Sequence, residues 1–292
     1  MDSWTVGDVR ISRIHEADMP APVEFMFPGA TTAELQAIDW MRPFVDERGR
    51  AVMSIHALVV ETPAMTIVVD TCVGNEKQGR DLPAWNGLHT RFLEDFRAAG
   101  YAPEDVDVVL CTHLHADHVG WNTHLVDGAW RPTFVNARHL IDRREFDYWR
   151  AAEDAETLAL MADSLQPVFD AGLVDLIDAS AGYRVCPEVE LVPTPGHTPG
   201  HVSVLIRSGD EAALITGDIM HHPCQIARPE WNAVSDKSPP QALATRRAAL
   251  TAAAEEGRLV IGTHFPSPTA GRVQPDGEAW RFDTSTAQKP GA

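Results

Sequence analysis

Cysteine is scarce in this 292-residue chain, and the four present, Cys72, Cys111, Cys186 and Cys224, stand far apart with no Cys-x-x-Cys pair. That spacing excludes a zinc ribbon and a thioredoxin-type redox site, and it favours small buried thiols over a disulfide framework. Basic residues are also in short supply. Lys and Arg number 24 against 42 Asp and Glu, for a formal net charge of −18. Contact along a polyanion needs clustered Lys and Arg, so this balance argues against a nucleic-acid partner. No apolar run approaches the length of a membrane span, and the opening Met1-Asp2-Ser3-Trp4-Thr5 has neither a basic start nor an apolar core. The expectation is a soluble, cytoplasmic protein with no membrane partner. Internal repeats, low-complexity tracts and linkers are missing as well. With 44% apolar residues the chain can bury one sizeable core. A single α/β domain over 1–292 is expected, with an irregular segment at about 18–50.

Against these absences stands a concentration of metal-capable side chains. Residues 113–118 read His113-Leu114-His115-Ala116-Asp117-His118, four such groups in six positions. Alternation points His113 and His115 the same way, while Asp117 and His118 follow on the next turn and address a second position. Two metals are the natural reading. A short apolar run from Val106 to Cys111 delivers the motif at a strand's C-terminal end, where α/β sheets place their ligands.

Other strand ends carry similar chemistry. Apolar runs at 52–60 and 66–70 flank the turn-forming Glu61-Thr62-Pro63-Ala64 and end at Asp70, a carboxylate able either to cap the next turn or to support a metal-bound histidine. Later strands at 202–206, 212–216 and 259–262 surround His197, Asp218 and His264. His113, His115 and His197 make one coordination sphere, Asp117, His118 and His264 a second, and Asp218 can bridge through both oxygens. Nitrogen and oxygen donors without thiolate fit Zn²⁺ and also admit Mn²⁺, Fe²⁺ or Co²⁺.

The remaining elements are read from pattern alone. An opening strand at 6–14 is expected to break at Met19-Pro20-Ala21-Pro22, with further strands at 133–135 and, antiparallel, within 174–192. Helices are expected at 89–99, through Phe146 and Trp149, over about 153–166 ending before Pro167, and at 240–254. Gln274-Pro275-Asp276-Gly277 marks a terminal hairpin. Consecutive Phe25, Met26 and Phe27 in Pro-bounded loop chemistry need a surface to cover, and a substrate pocket wall, a subunit contact or simple packing over the sandwich edge would serve.

Taken in order, His113-x-His115-x-Asp117-His118, Gly196-His197-Thr198-x-Gly200-His201, Gly217-Asp218 and Gly262-Thr263-His264 resemble the metallo-β-lactamase superfamily. The resemblance implies an αββα four-layer sandwich, two mixed sheets flanked by helices, and it assigns the same seven ligands. His201 lies outside the ligand pattern and reads as a loop support, and Asp70 resembles the family's supporting aspartate. The short tail after His264 is unlike glyoxalase II, the acidic surface unlike the RNA-processing nucleases, and His115 unlike the carboxylate of flavodiiron proteins. Asn136-Ala137-Arg138 leading into Glu145-Phe146-Asp147-Tyr148-Trp149 is similar to the quorum-quenching lactonase and methyl parathion hydrolase branch.

The implied activity is opening of a lactone or ester by water activated between two metals, with Asp117 or Asp218 moving the proton. An N-acyl homoserine lactone is the leading substrate, and a phosphotriester would use the same metals in a differently shaped pocket. A non-catalytic metal-binding protein is a third reading, disfavoured because all seven ligands are kept. His221 or His222 follows Asp218 closely enough to reach the pocket and hydrogen-bond the substrate. A homodimer is compatible with the sequence.

Overall fold

Two seven-stranded sheets carry the chain, and a computed structural model describes residues 2–285 of it. The first sheet runs in the order Ser3–Val6, Val9–Ala21, Ala51–Glu61, Thr66–Val69, Val108–Leu110, Arg138–Asp142 and Val174–Ile177. The second runs Tyr183–Arg184, Val189–Pro193, Val202–Ser208, Glu211–Ile215, Leu259–Ile261, Ala270–Asp276 and Ala279–Asp283. Both are mixed, with parallel pairs where chemistry-bearing loops leave the sheet.

Period-two alternation sorts each strand between two apolar layers. In Ala51–Glu61, Leu58 and Val60 join Val204, Ile206 and Ile215 between the sheets, while Ile55, Ala57 and Val59 face outward onto the helical layer with Phe92, Phe96 and Trp149. The outer face of the second sheet packs with the long helix Pro239–Glu256 and with residues 23–51 through Phe27, Phe44, Leu250 and Phe265. Four layers result: helix, sheet, sheet, helix.

Several expectations change. The second strand continues through Met19-Pro20 to Ala21, pairing Pro20 with Val52. Its other neighbour, Ser3–Val6, ends its pairing at Ser12, so Pro20 sits on an open edge where a missing N–H costs no ladder bond. The segment expected to be irregular from about 18 to 50 instead holds that strand end, helical turns at Val23–Met26 and Thr32–Gln36, and a 3₁₀ turn at Arg42–Phe44. Residues 133–135 form no strand. A hairpin, Thr123–Val126 with Ala129–Pro132, lies just before them, turned by Asp127-Gly128, both at positive φ. Pro167 does not end its helix, because the wide turn Met161–Leu165 loosens the ladder before it and the helix resumes at Gln166–Asp170. The 174–192 stretch divides. Val174–Ile177 is parallel in the first sheet, and the chain then crosses to open the second. Among the described residues no helix is long and apolar enough to cross a membrane.

Candidate metal centre

Four loops leaving C-terminal strand ends meet at one edge of the sandwich. The loop after Val108–Leu110 carries His113 and His115, then one helical turn, Ala116–Val119, holding Asp117 and His118. His197 follows Val189–Pro193, Asp218 follows Glu211–Ile215, and His264 follows Leu259–Ile261. Ligand-capable atoms of His113, His115, His197 and Asp218 lie within 4.8 Å of one another, and so do those of Asp117, His118 and His264. These are the two sets expected from the sequence.

The nitrogens test whether a cation fits. His113 Nε2, His115 Nδ1 and His197 Nε2 form a triangle with sides of 2.9, 3.2 and 2.9 Å. A tetrahedral zinc with bonds of about 2.0–2.1 Å has ligand edges of about 3.3 Å, so the spacing suits one ion. Protons sit elsewhere on two of these rings: His113 Nδ1 donates to Thr112 Oγ1 at 3.1 Å and His197 Nδ1 to Asp236 Oδ1 at 3.0 Å. Burial pushes His113 and His197 well below the usual imidazole range and His115 down to about 4. Neutral rings with converging lone pairs are a cation's donor set.

The second set is built the same way. His118 Nδ1 donates to Asp70 Oδ2 at 2.8 Å and His264 Nδ1 to the Ser54 carbonyl at 3.0 Å, leaving their Nε2 atoms 3.1 Å apart. Asp117 oxygens lie 3.7 and 3.5 Å from those two nitrogens. Burial lowers both histidines, yet the facing carboxylates Asp218 and Asp117, joined by Asp70 at His118, raise both above the ordinary value. The field there favours positive charge. Asp218 stands between the sets, Oδ2 3.6, 3.3 and 3.4 Å from His113, His118 and His197 and Oδ1 3.2 Å from His264. Burial works to raise its carboxyl, but His264, His118, His221 and His113 outweigh it and hold it well below the carboxylate range.

Neighbouring residues fix this geometry. Asp70 also accepts from Thr112 N and Oγ1, each at 2.8 Å. His201 accepts from the Asp218 N–H at 2.8 Å and donates Nδ1 to the Thr194 carbonyl, which makes it the expected loop support. Gly217 is at φ +55, and a Cβ there would fall 2.5 Å from His201 Nε2, so only glycine lets that ring approach. Two buried carboxylates had no role assigned from the sequence. Glu145 accepts from Leu114 N, Gly200 N and Trp149 Nε1 at 3.2, 2.9 and 2.6 Å, joining two ligand loops. Asp236 sits 39 positions from the histidine it touches, in a Ser-Asp-Lys-Ser stretch with loop composition and no local signal.

The two histidines after Asp218 part company. His221 is buried in the site, its Nε2 3.2 Å from Asp218 Oδ2 and its ring 4.9 Å from that of His197. His222 faces away. Its Nε2 donates to the Phe44 carbonyl at 2.9 Å and its Nδ1 accepts from Cys224 N, so both nitrogens serve the fold and its catalytic assignment is withdrawn. The aromatic cluster is also divided. Phe27 is fully buried against Trp231 with its edge toward His221, Met26 is half-buried, and Phe25 is 55% exposed. Phe27 therefore backs the site and lines no open surface. All four cysteines are free and buried, and burial pushes Cys111 up to about 12, far from a nucleophile's range.

An αββα sandwich with two histidine–carboxylate sets at its strand ends defines a class of dinuclear metal scaffold. Residues 50–273 match the family described as Metallo-beta-lactamase superfamily, and the chain belongs to that superfamily. Over 168 residues it is 30% identical to an N-acyl homoserine lactonase of a Bacillus species, covering 53% of this chain and 59% of that protein. The match thus spans less than two thirds of that relative. In fold it is similar to the hydrolase AbOPH of the beta lactamase superfamily, with a TM-score of 0.80 at 22% identity over 96% of each chain. It is equally similar to AidC, a dizinc quorum-quenching lactonase, with a TM-score of 0.80 at 21% identity over 99% of this chain and 98% of that one.

Proposed function

We propose that this chain is a hydrolase that opens a lactone, an N-acyl homoserine lactone foremost, using two divalent cations held by His113, His115, His197, Asp117, His118 and His264 with Asp218 between them. The observation that carries the reading is the convergence of buried ring nitrogens and carboxylate oxygens on two points either side of one carboxylate. The lactonase relative supports the substrate class. Zinc is the ion best matched to the donors, and four free buried thiols suit the reducing cytoplasm.

Bound there, the pair would supply hydroxide at neutral pH and polarise the attacked carbonyl. The chain's residues do the rest. His115 and Asp117 are the two ligands that are not fully buried, so substrate enters on their side. Trp149 borders that opening with its ring 5.1 Å from His115, and the Lys237 ammonium lies 5.2 Å over its face. Asp117 is the carboxylate within reach of an entering ester; it would take the proton that the attacking oxygen gives up and pass it to the departing alkoxide oxygen. His221, buried with Nε2 3.2 Å from Asp218 Oδ2, acts on the reaction through that carboxylate, which it holds in place.

The test is a hydrolysis panel on metal-loaded protein: hexanoyl-homoserine lactone, a simple aryl ester and a dialkyl aryl phosphotriester. Lactone turnover should exceed the other two by at least about tenfold, a transition-state difference of about 1.4 kcal/mol. Preference for the phosphotriester would move the assignment to a phosphotriesterase, and metal binding without turnover of any substrate would remove the enzymatic reading.

A further inference from the structure

Each ligand set contains one histidine whose far ring nitrogen rests on a buried carboxylate. His118 rests on Asp70, to which the sequence points; His197 rests on Asp236, which no motif marks. We propose that Asp236 is the positioning residue that makes His197 a metal ligand, by holding its proton on Nδ1, and that Arg246 holds Asp236. This inference rests on the two-cation reading above.

The Asp236 side chain is fully buried and each oxygen has its own task. Oδ1 accepts from His197 Nδ1 at 3.0 Å; Oδ2 accepts from Ala233 N at 3.0 Å and from Arg246 Nη2 at 3.3 Å. Arg246 is itself wholly buried, with Nε on the Ile219 carbonyl and Nη1 on the Pro229 carbonyl, both at 2.6 Å. One guanidinium thereby ties the segment after Asp218 to the carboxylate behind His197. The neighbouring main chain reinforces the link, since Lys237 N donates to the His197 carbonyl and Ser238 N to the Gly196 carbonyl, each at 2.9 Å.

This arrangement makes the identity of residue 236 a choice of tautomer. A backbone N–H and a guanidinium can only donate, so whatever faces them must accept. An amide at 236 would turn its oxygen toward Ala233 and Arg246 and its NH₂ toward His197. Nδ1 of His197 would then have to accept, and its proton would move to Nε2, the atom facing His113 and His115. The side chain keeps its shape while the ligand loses its lone pair. Asp70 has no such constraint from arginine; its other partners are the N–H and hydroxyl of Thr112.

The decisive variant is Asp236→Asn in the full chain. Zinc retained after dialysis against a mild chelator should fall from two per chain to one, and the chelator concentration that strips the lost ion should drop by about 10–100-fold. In zinc-free protein, long-range ¹H–¹⁵N correlation of the histidine rings should place the His197 proton on Nδ1 in the parent and on Nε2 in the variant. Two ions held with parental resistance in Asp236→Asn would overturn the proposal. So would a zinc-free parent with its His197 proton on Nε2, a measurement that needs no variant to fold. A parent that never takes up a second zinc sinks the two-cation reading, while the ring tautomer still decides the role of Asp236.

Discussion

Three consecutive side chains, Phe25, Met26 and Phe27, meet three different fates within one helical turn. Consecutive residues on a helix are spaced around its axis, so they cannot share one covered face. Phe27 turns inward to stack near Trp231 and to set its edge toward His221, whereas Phe25 stays largely in solvent. Phe27→Ala should cost roughly 3–5 kcal/mol of stability through the cavity it leaves. Phe25→Ala should stay within about 0.5 kcal/mol. Chemical denaturation of both variants checks the contrast, and equal losses would show that the loop packs differently. The candidate ligands that the structure brings together were legible at this scale because few residue types can donate to a cation and their spacing is short. His222 was not, since its direction depends on a carbonyl 178 positions away at Phe44. Chemistry names a candidate residue; the path of the chain decides where it points.

Elements were legible where their pattern is local. Apolar runs rich in Val, Ile and Met identified the strands at 52–60 and 66–70, and the apolar face with its closing glycine identified a helix at 89–99, observed as Phe92–Ala98. Elements whose form depends on distant neighbours were missed, among them the edge position that admits Pro20 and the assignment of Val174–Ile177 to the first sheet. The loop after Asp70 is another case. Its Lys77 is fully buried, donating to Thr123 Oγ1 at 2.6 Å and the Asp163 carbonyl at 3.0 Å, with Trp130 3.7 Å beneath. Arg80 donates from Nη2 to both carboxylate oxygens of the same Asp163. These contacts bind the loop to the 123–132 hairpin and to the wide helical turn. Burial brings Lys77 down to about 7 against the pull of Asp163, from an ordinary 10.5. The unfolded chain therefore binds the proton more readily than the folded one between about pH 7 and 10.5, and stability rises with pH across that window. Lys77→Met should flatten the rise, which is on the order of a few kcal/mol. Urea unfolding midpoints at pH 7, 8.5 and 10 measure it, and parallel slopes in parent and variant would count against the account.

At the scale of the whole molecule the site is a seam between two sheets. His113, His115, Asp117 and His118 leave the first sheet; His197, Asp218 and His264 leave the second. Apolar side chains join the sheets between the layers, but at this edge the joining groups are imidazoles and carboxylates. Sequence order hides that division, since nothing in the motifs says which sheet each strand enters. It carries a thermodynamic consequence: each candidate set draws side chains from both sheets, so an ion held there would link binding to folding. An ion at a thousand times its dissociation constant adds about 4 kcal/mol to the folded state. For a chain of this size that is a rise in Tm on the order of 10 °C, and the Tm should climb with the logarithm of free zinc once a site saturates. Thermal melts in zinc buffers of graded free concentration supply the measurement. A Tm indifferent to both zinc and chelator would mean that the apolar layers alone hold the sheets in register and that the seam contributes nothing to the fold.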